Sequence, residues 1–325
     1  MSWVVERIGG RRLALAPILV ALFAFPFLGT HYTSLMVVVA IHTMLTVGLC
    51  LLMGYTGQVS LGHAAFYGTG AFGSGILTAT YHLSPWLAII VAAVITGVIA
   101  FLVALPIFRL EGHYLAMATL GFGMIVFIFL NQTHGLTGGP SGLRGIPSLS
   151  IGGFSIDSDF RYYYLVWAFC LVTLLISRNI VHSRVGRALR SIHGSEPAAE
   201  SLGVNVVSFK VKIFVLSAVY ASVAGSLYAH YTTFISPQPF GFLFSVKLVV
   251  MVVIGGLANI WGAVFGTLVI TFLAEFLHPF GNFDVIVYAL ILILVMIFMP
   301  DGLISGLREL IAERRFLVWR RGQTA

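Results

Sequence analysis

Long apolar runs separated by short polar stretches dominate the chain and predict ten membrane-spanning helices. A helix needs roughly 20 mostly apolar residues to cross the hydrocarbon of a bilayer. The first, eighth and tenth runs are short, so their ends are the least sharply defined. The predicted spans are Leu13–Leu28, Leu35–Met53, Gly62–Tyr81, Pro85–Phe108, His113–Leu130, Tyr162–Ile176, Phe209–Tyr231, Leu243–Leu257, Trp261–Leu277 and Val285–Met299.

The composition agrees with this pattern. Hydrophobic residues make up 59% of the 325 residues and charged residues 9%, with a mean hydropathy of +1.00. Soluble domains carry about 25% charged residues. The predicted fold class is therefore an all-α, polytopic membrane protein that forms a single transmembrane domain over residues 1–325. Cys50 and Cys170 lie in apolar runs and are predicted to be buried thiols rather than a disulfide or metal pair.

The basic residues predict the orientation in the membrane. With ten spans, 15 of the 18 lysines and arginines fall on the side of the two termini, two on the opposite side, and Lys247 within a span. Basic loops stay in the cytoplasm, so both termini are predicted to be cytoplasmic. This orientation accounts for the net charge of +7 without a nucleic-acid partner. The basic tail 300–325 is predicted to be attracted to anionic lipid.

The spans divide into two groups of five around the polar segment 131–160. A half with an odd number of spans must be inverted if it is repeated, as is common in transporters. Glycine-rich stretches occur in both halves, at Gly54–Gly75 and Gly255–Gly266, but they do not align cleanly. A 5+5 inverted repeat is therefore a hypothesis with weak support.

The stretch Gly54–Gly75, GYTGQVSLGHAAFYGTGAFGSG, is unusual for a membrane span because it carries seven glycines and several polar residues. Small residues allow close helix packing, which is one explanation. The other is a broken or re-entrant helix beside a translocation path, because irregular backbone persists at membrane depth only against protein or water. The path candidates in this stretch are Gly57, Gln58, Ser60, Gly62 and His63.

Two polar segments punctuate the apolar runs. Leu136–Asp157 contains too much glycine and proline for a helix and predicts an outer loop, which is either an ordinary connection or, with Asn131 and His134, a cap on the outer mouth or a contact for an external partner. Ser183–Lys212 predicts a short helix, a turn and a second short helix, with Ser195 as N-cap and Gly203 at a helix end. The second segment is either a solvated loop that fixes topology or a docking element for a partner subunit.

Five motifs occur in a fixed order: GYTGQVSLGHAAFYG, GHYLAMATLGFG, LTGGPSGLRGIP, SRVGRALRSIH with EPAAESLGV, and SP–F–S–VVIGGLANIWGAVFG. Together they resemble the permease subunit of branched-chain amino acid ABC importers, and more narrowly the longer of the two paired permeases. The resemblance covers the chain from about Leu45 to Ile304. It implies a subunit of the bacterial inner membrane that pairs with a shorter permease, two cytoplasmic ATPase subunits and a periplasmic substrate-binding protein.

The resemblance also implies a role for the polar loop 178–208. In this family the corresponding loop docks in a groove of the ATPase, and Ala188–Gly203 is the predicted coupling element. Small residues permit close docking, and the two glutamates can meet basic groups of a partner. The residues expected to contribute are Arg187, Ala188, Glu196, Ala198, Ala199, Glu200 and Gly203.

The chain contains no Gly-x-x-x-x-Gly-Lys-Ser/Thr loop for phosphates. ATP and Mg²⁺ are therefore expected on partner subunits, and this chain is expected to be no enzyme and to bind no cofactor. The sequence also shows no nucleophile–base pattern and no histidine pair with metal-ligand spacing.

Two positions depart from the family pattern and concern the cargo. Met124 stands where a glutamate is common, and Lys247 stands where the eighth span often has an acidic residue. An ionisable group inside a membrane costs roughly 2.5–3.5 kcal/mol on insertion scales. Lys247 either snorkels to the outer interface or serves a carboxylate cargo that lacks an amino group. Gly255 and Gly256 complete the path candidates.

The predicted mechanism is alternating access, and the cargo stays open among branched-chain amino acids, other amino acids, urea or short amides, and carboxylates. The rival hypothesis is a self-sufficient, ion-coupled secondary transporter or channel. Such a protein needs paired membrane carboxylates or a proton relay, and the predicted spans contain almost no acidic residues.

Overall fold

The computed structural model describes residues 30–110, 112–151 and 154–277, together with Val287 and Leu290, and most of them are helical. The helices are α1 (Thr30–Thr56), α2 (His63–Ala79), α3 (Pro85–Ile107), α4 (His113–Gln132), α5 (His134–Thr137), α6 (Asp159–His182), α7 (Arg184–Gly194), α8 (Glu196–Ser201), α9 (Val206–Thr232), α10 (Phe242–Gly255) and α11 (Ile260–Leu277). The described residues also form four two-residue strands, β1 (Leu143–Arg144), β2 (Ser150–Ile151), β3 (Phe154–Ser155) and β4 (Phe234–Ile235), and two 3-10 turns, Gly139–Ser141 and Gln238–Phe240. The predicted all-α fold is confirmed.

Eight of the ten predicted spans correspond to described helices, namely α1–α4, α6 and α9–α11. Six of these eight, all except α2 and α10, are long and apolar enough to cross a membrane. Helix α10 has 14 residues, or roughly 21 Å at 1.5 Å per residue. The predicted spans Leu13–Leu28 and Val285–Met299 fall outside the described residues, apart from Val287 and Leu290. The count of ten crossings therefore stays a prediction.

Helix α1 forms the centre of the bundle. In its most apolar stretch 89% of the residues are buried, whereas the corresponding value for α4 is 17%. A helix that is apolar on all sides belongs inside a bundle. Helices α9 and α6 and the hairpin of α10 and α11 pack against α1, while α4 lies at the edge against α2, α3 and α10.

The two ends of the bundle differ. We call the end that carries α7 and α8 the basic end and the end formed by residues 131–158 the loop end. At the basic end, Ser183, Ser195 and Asn205 cap α7, α8 and α9, each accepting a hydrogen bond from a backbone N–H two or three residues later. Such caps contribute about 0.5–2 kcal/mol each. The predicted helix–turn–helix, with its cap at Ser195, is present in the structure.

The loop end contains more regular structure than the sequence predicts. Helix α5 and a 3-10 turn at Gly139–Ser141 precede β1, which pairs with β4, and β2 pairs with β3. His230 of α9 ties this segment down, since its Nδ1 lies 2.8 Å from the carbonyl oxygen of Pro147 and its Nε2 lies 2.7 Å from the hydroxyl of Ser74. The glycine and proline content excludes a long helix but allows these short elements.

The order of elements supports an inverted repeat in a different alignment from the one tried on the sequence. Helices α1 and α9 both have 27 residues, and each is followed by a connection that is not α-helical and then by a shorter helix. Helix α1 runs towards the basic end and α9 away from it. In this alignment the connection after α1, which lies within Gly54–Gly75, corresponds to the connection after α9 rather than to Gly255–Gly266, and the inverted repeat stays a prediction.

Helices α2 and α9 cross at very short range. A Cβ atom added to Gly225 would lie 2.0 Å from the carbonyl oxygen of Tyr67, and one added to Gly70 would lie 2.2 Å from that of Ser222. The hydroxyl of Ser226 donates to the carbonyl oxygen of Gly70 at 3.1 Å. Small residues therefore determine how closely these two helices pack.

A matched pair of alanine substitutions tests this crossing. Gly225→Ala is expected to lower the melting temperature of the detergent-purified protein, because the new methyl group forces α2 and α9 apart. Gly121→Ala on α4 meets no atom within 4 Å and gains about 1 kcal/mol of helix propensity. Its melting temperature should equal or exceed that of the wild type. Equal melting temperatures of the two variants would contradict the packing argument.

Candidate functional site

Residues 57–62 interrupt the helical path between α1 and α2, and we call them the first break. Gly57 ends α1 because its φ of +73° lies in the left-handed region, where glycine has no steric penalty. Its N–H still bonds to the carbonyl oxygen of Met53 at 3.1 Å, an αL termination. The irregular backbone proposed for the glycine-rich stretch is therefore confined to these six residues, and Gly68–Gly75 are helical.

Side chains from two other helices hold the far end of the first break. The N–H of Leu61 donates to Oγ1 of Thr119 on α4, and the N–H of Ala64 donates to Oγ of Ser245 on α10, both at 3.1 Å. Gly62 fits here because a Cβ atom would lie 2.4 Å from the carbonyl oxygen of Thr119. Thr119 lies six residues into α4, about 9 Å from its start. The break thus enters the bundle from the basic end.

Two polar side chains beside the break are buried without hydrogen-bond partners among the described residues. They are Ser60, 1% exposed, and His63, fully buried with both ring nitrogens unpaired. Buried polar groups without partners are rare in folded proteins. Their position in the segment that interrupts a helix makes them candidates for contact with water or cargo.

Residues 233–241 form the second break, between α9 and α10, and enter the bundle from the loop end. Phe234 and Ile235 form β4, which pairs with β1. Phe240 is buried and contacts α2, with its ring centroid 5.0 Å from that of Tyr67. A Cβ atom on Gly68 would lie 3.0 Å from the Cβ atom of Phe240. The two breaks therefore approach α2 from opposite ends.

A narrow cleft lies where the two breaks meet, lined by the first break with α2, by α4, and by the second break with α10. Ala64, Met124, Gly241 and Ser245 are among its lining residues. Met124 is 40% exposed, while Ser245 is 2% exposed. The cleft is too narrow for a water molecule. The structure therefore shows this point of the bundle closed.

The predicted coupling element contacts the first break at the basic end of the bundle. A Cβ atom on Gly57 would lie 3.1 Å from Nδ1 of His193 on α7. Glu196 of α8 accepts a hydrogen bond from Nε2 of Gln58 at 3.1 Å and forms an ion pair with Lys210 of α9 at 2.5 Å. The helices of the basic end and the interrupted helix are thus joined by direct side-chain contacts.

Comparison with known proteins identifies the kind of molecule that carries this arrangement. A family described as "Branched-chain amino acid transport system / permease component" matches residues 31–299, which is most of the chain. The chain belongs to this permease family. It is accordingly a multi-pass membrane protein and a permease subunit of the ABC importer type.

Curated relatives of the permease include both members of a permease pair. The permease described here is 30% identical to the high-affinity branched-chain amino acid transport system permease protein LivM of Escherichia coli, over 92% of this chain and 76% of the relative. It is 25% identical to the corresponding protein LivH of Salmonella typhimurium, over 81% of this chain and 91% of the relative. The ribose import permease protein RbsC of Escherichia coli matches over 45% of this chain at 26% identity. No solved structure shows significant similarity to the permease.

The coupling residues predicted from the sequence lie in several environments in the permease. Arg187, Ala198, Glu200 and Gly203 are exposed, and Ala188 is half-buried. Ala199 is instead buried in a small apolar cluster with Ile192 and Val206. Glu196 is engaged within the chain, as described above. Their contact with an ATPase stays a prediction.

Lys247 lies deeper than its position near the start of a predicted span indicates. Helix α10 begins inside the bundle, and Phe244, one turn before Lys247, contacts His42 with ring centroids 5.2 Å apart. His42 lies near the middle of the 27 residues of α1, and Lys247 is close enough to act on it electrostatically. The lysine thus lies beside the middle of α1 rather than at an outer interface.

Gly255 and Gly256 form a packing junction at the basic end of α10. A Cβ atom on Gly255 would lie 2.0 Å from the carbonyl oxygen of Gly262, so α10 and α11 are in backbone contact. Gly256 has a φ of +100° and ends α10. The turn that follows presses against Gly54 of α1, where a Cβ atom would lie 1.5 Å from the carbonyl oxygen of Leu257. These glycines lie away from the cleft and serve packing.

Four residues that contact the breaks or the predicted coupling element were not among the site residues predicted from the sequence: Thr119, Ser245, Phe240 and Lys210. Thr119 and Ser245 are polar residues in apolar spans, and both lie within the motifs that carry the family resemblance, but neither signal shows which backbone groups they contact. Lys210 lies in the polar stretch already singled out, fourteen positions after Glu196. The opposite charges of Glu196 and Lys210 are compatible with an ion pair, but their separation of fourteen positions does not by itself predict one.

Substitution of Thr119 tests how the first break is held. Thr119→Val keeps the shape but removes the acceptor of the Leu61 N–H, and a buried donor left unpaired costs about 1–3 kcal/mol. We expect faster deuterium uptake by the peptide that covers residues 57–62. Thr173→Val is the matched control, because the hydroxyl of Thr173 bonds only within its own helix, to the carbonyl oxygen of Phe169. Identical exchange in both variants would show that Thr119 does not hold the break.

Proposed function

We propose that the permease forms the translocation path of an ATP-driven importer for branched-chain amino acids, together with the shorter permease of the pair. Two ATPase subunits bind its basic end, and a substrate-binding protein delivers cargo at its loop end. The observation that carries the proposal is the first break, which connects the predicted coupling element to a closed cleft inside the bundle.

We place the permease in the bacterial inner membrane, and the distribution of charge supports a cytoplasmic basic end. Seven of the nine described lysines and arginines that lie at either end of the bundle are at the basic end: Arg109, Arg178, Arg184, Arg187, Arg190, Lys210 and Lys212. Arg144 and Arg161 lie at the loop end. Positively charged loops remain on the cytoplasmic side, so the ATPase subunits meet α7 and α8.

The surface of the coupling element suits a docking role. Helix α8 exposes Ala198 and Glu200, and the turn that follows exposes Leu202, of which 80% is accessible. A small residue, a carboxylate and an apolar side chain side by side match a groove that contains basic groups.

The proposed mechanism is alternating access around the cleft. ATP binding on the partner subunits moves the coupling element, and this movement reaches the cleft through the first break. The cleft opens to one side at a time, as expected for a site at the junction of two oppositely oriented halves. Ser60 and His63 then offer hydrogen-bonding groups to cargo or water, because they have no partner within the described part of the chain.

Branched-chain amino acids are the proposed cargo because the curated relatives LivM and LivH carry this cargo in their names. The lining of the cleft, which includes Leu61, Ala64 and Met124, suits an aliphatic side chain. A carboxylate without an amino group is the second candidate, favoured by the depth of Lys247.

Uptake into liposomes tests this function. The permease, reconstituted with its partner permease, ATPases and binding protein, is expected to take up leucine, isoleucine or valine only when ATP is supplied. If only carboxylates are taken up, carboxylates become the proposed cargo. Lys247→Glu should then reduce carboxylate uptake. Gradient-driven uptake by the permease without ATPases would contradict the importer and favour an ion-coupled transporter.

The docking role of the coupling element has its own test. Glu200→Lys is expected to lower ATP-driven uptake at least fivefold while the ATPase subunits continue to hydrolyse ATP, because the reversed charge repels basic groups in the groove. Arg109→Glu is the control, since Arg109 is exposed at the same end but lies in the turn between α3 and α4. Unchanged uptake in Glu200→Lys would exclude this surface.

A further inference from the structure

The coupling element carries two carboxylates with different surroundings. Glu200 is exposed, whereas the carboxylate of Glu196 points into the chain. Oε1 of Glu196 accepts from Nε2 of Gln58 at 3.1 Å, and Oε2 accepts from Nζ of Lys210 at 2.5 Å. The same Nε2 of Gln58 donates to the carbonyl oxygen of Thr56 at 3.1 Å. One carboxylate therefore joins α8 to the end of α1, to the first break and to α9.

The burial of its two partners commits Glu196 to these internal contacts. The side chain of Lys210 is 4% exposed and that of Glu196 is 35% exposed, and Gln58 is 8% exposed. A buried ammonium group without a counter-charge is strongly destabilising. If Glu196 turned to a basic group on an ATPase, Lys210 would lose its carboxylate inside the protein. The geometry thus separates the two glutamates, one internal and one available to a partner.

We propose that Glu196 is a positioning residue that transmits movement of the coupling element to the first break, and that docking is left to the exposed face with Glu200. The inference rests on the proposed function, because it assigns a route to the coupling that function requires. The inference goes beyond the proposed function because it names an internal link, Gln58–Glu196–Lys210, as the part of the molecule through which the movement passes.

The route from Glu196 to the cleft is short. Gln58 lies three residues before Leu61, whose N–H bonds to Thr119, and six residues before Ala64, whose N–H bonds to Ser245. Three residues span at most about 10 Å of extended chain. A displacement of α8 that carries Gln58 with it therefore changes the hydrogen bonds that hold α2 between α4 and α10.

The first test removes the link without touching the buried ion pair. Gln58→Leu deletes the donor to Glu196 and leaves Lys210 paired, so the protein keeps its charge balance. In the complete importer in liposomes, we expect uptake per ATP hydrolysed to fall at least fivefold, while the ATPase subunits copurify at the wild-type level. Wild-type uptake per ATP in this variant would overturn the proposal.

The two glutamates provide a matched comparison. Glu196→Gln is expected to lower uptake per ATP at least fivefold with unchanged copurification of the ATPases, whereas Glu200→Gln lowers copurification. The exchange of Glu196→Lys with Lys210→Glu should restore at least half of the uptake, because Gln58 can turn its amide oxygen to the new lysine. If Glu196 docks on the ATPase instead, Glu196→Gln lowers copurification and the exchange restores nothing, which overturns the internal link.

A measurement on the permease alone separates this inference from the proposed function. Deuterium uptake by the peptide that covers residues 57–62 should be faster in Gln58→Leu and Glu196→Gln than in the wild type, and unchanged in Glu200→Gln. If the wild-type importer takes up no tested cargo, the proposed function fails while faster exchange still supports the link. Unchanged exchange in Gln58→Leu and Glu196→Gln would overturn the link even where ATP-driven uptake is found.

Discussion

The backbone N–H groups of an interrupted helix need new acceptors inside the bundle, and the arrangement of the surrounding helices depends on meeting that need. An unpaired amide away from water costs several kcal/mol on transfer scales, and irregular backbone inside a membrane survives only against protein or water. Thr119 and Ser245 supply the acceptors for Leu61 and Ala64. Helices α4 and α10 must therefore lie on either side of the start of α2.

Close packing between elements accounts for several of the 35 glycines of the permease. Helices in a membrane gain little from excluding water, so their association depends on close van der Waals contact. At Gly54, Gly62 and Gly225 the backbone of another element occupies the space that a side chain would need. Each of these contacts fixes the distance between two elements. These close contacts hold the helices that flank the first break in place.

Much of the helical framework could be predicted from the sequence because helix formation in a membrane depends on local hydrogen bonds and apolar length. The bounds of α3 and the cap at Ser195 follow from such local signals. The depth of α10 could not be predicted, because hydropathy does not show that a helix begins inside the bundle. The partners of Glu196, Leu61 and Ala64 depend on tertiary contacts between residues far apart in the chain. The glycine-rich stretches Gly54–Gly75 and Gly255–Gly266 do not align as a repeat, because the first contains a break and the second packs α10 against α11.

The two breaks connect the cleft to opposite surfaces of the permease. The first joins the coupling element at the basic end, and the second joins the loop end through the pairing of β4 with β1. They are not independent, because the bond between Ala64 and Ser245 ties the helix that follows one break to the helix that follows the other. Helix α4, the least buried of the long helices, forms the remaining wall of the cleft. A movement that enters at either end therefore reaches the same hydrogen bond, and α4 can yield without disturbing the core around α1. This geometry links the basic end to the loop end through the cleft, as the proposed alternating access requires.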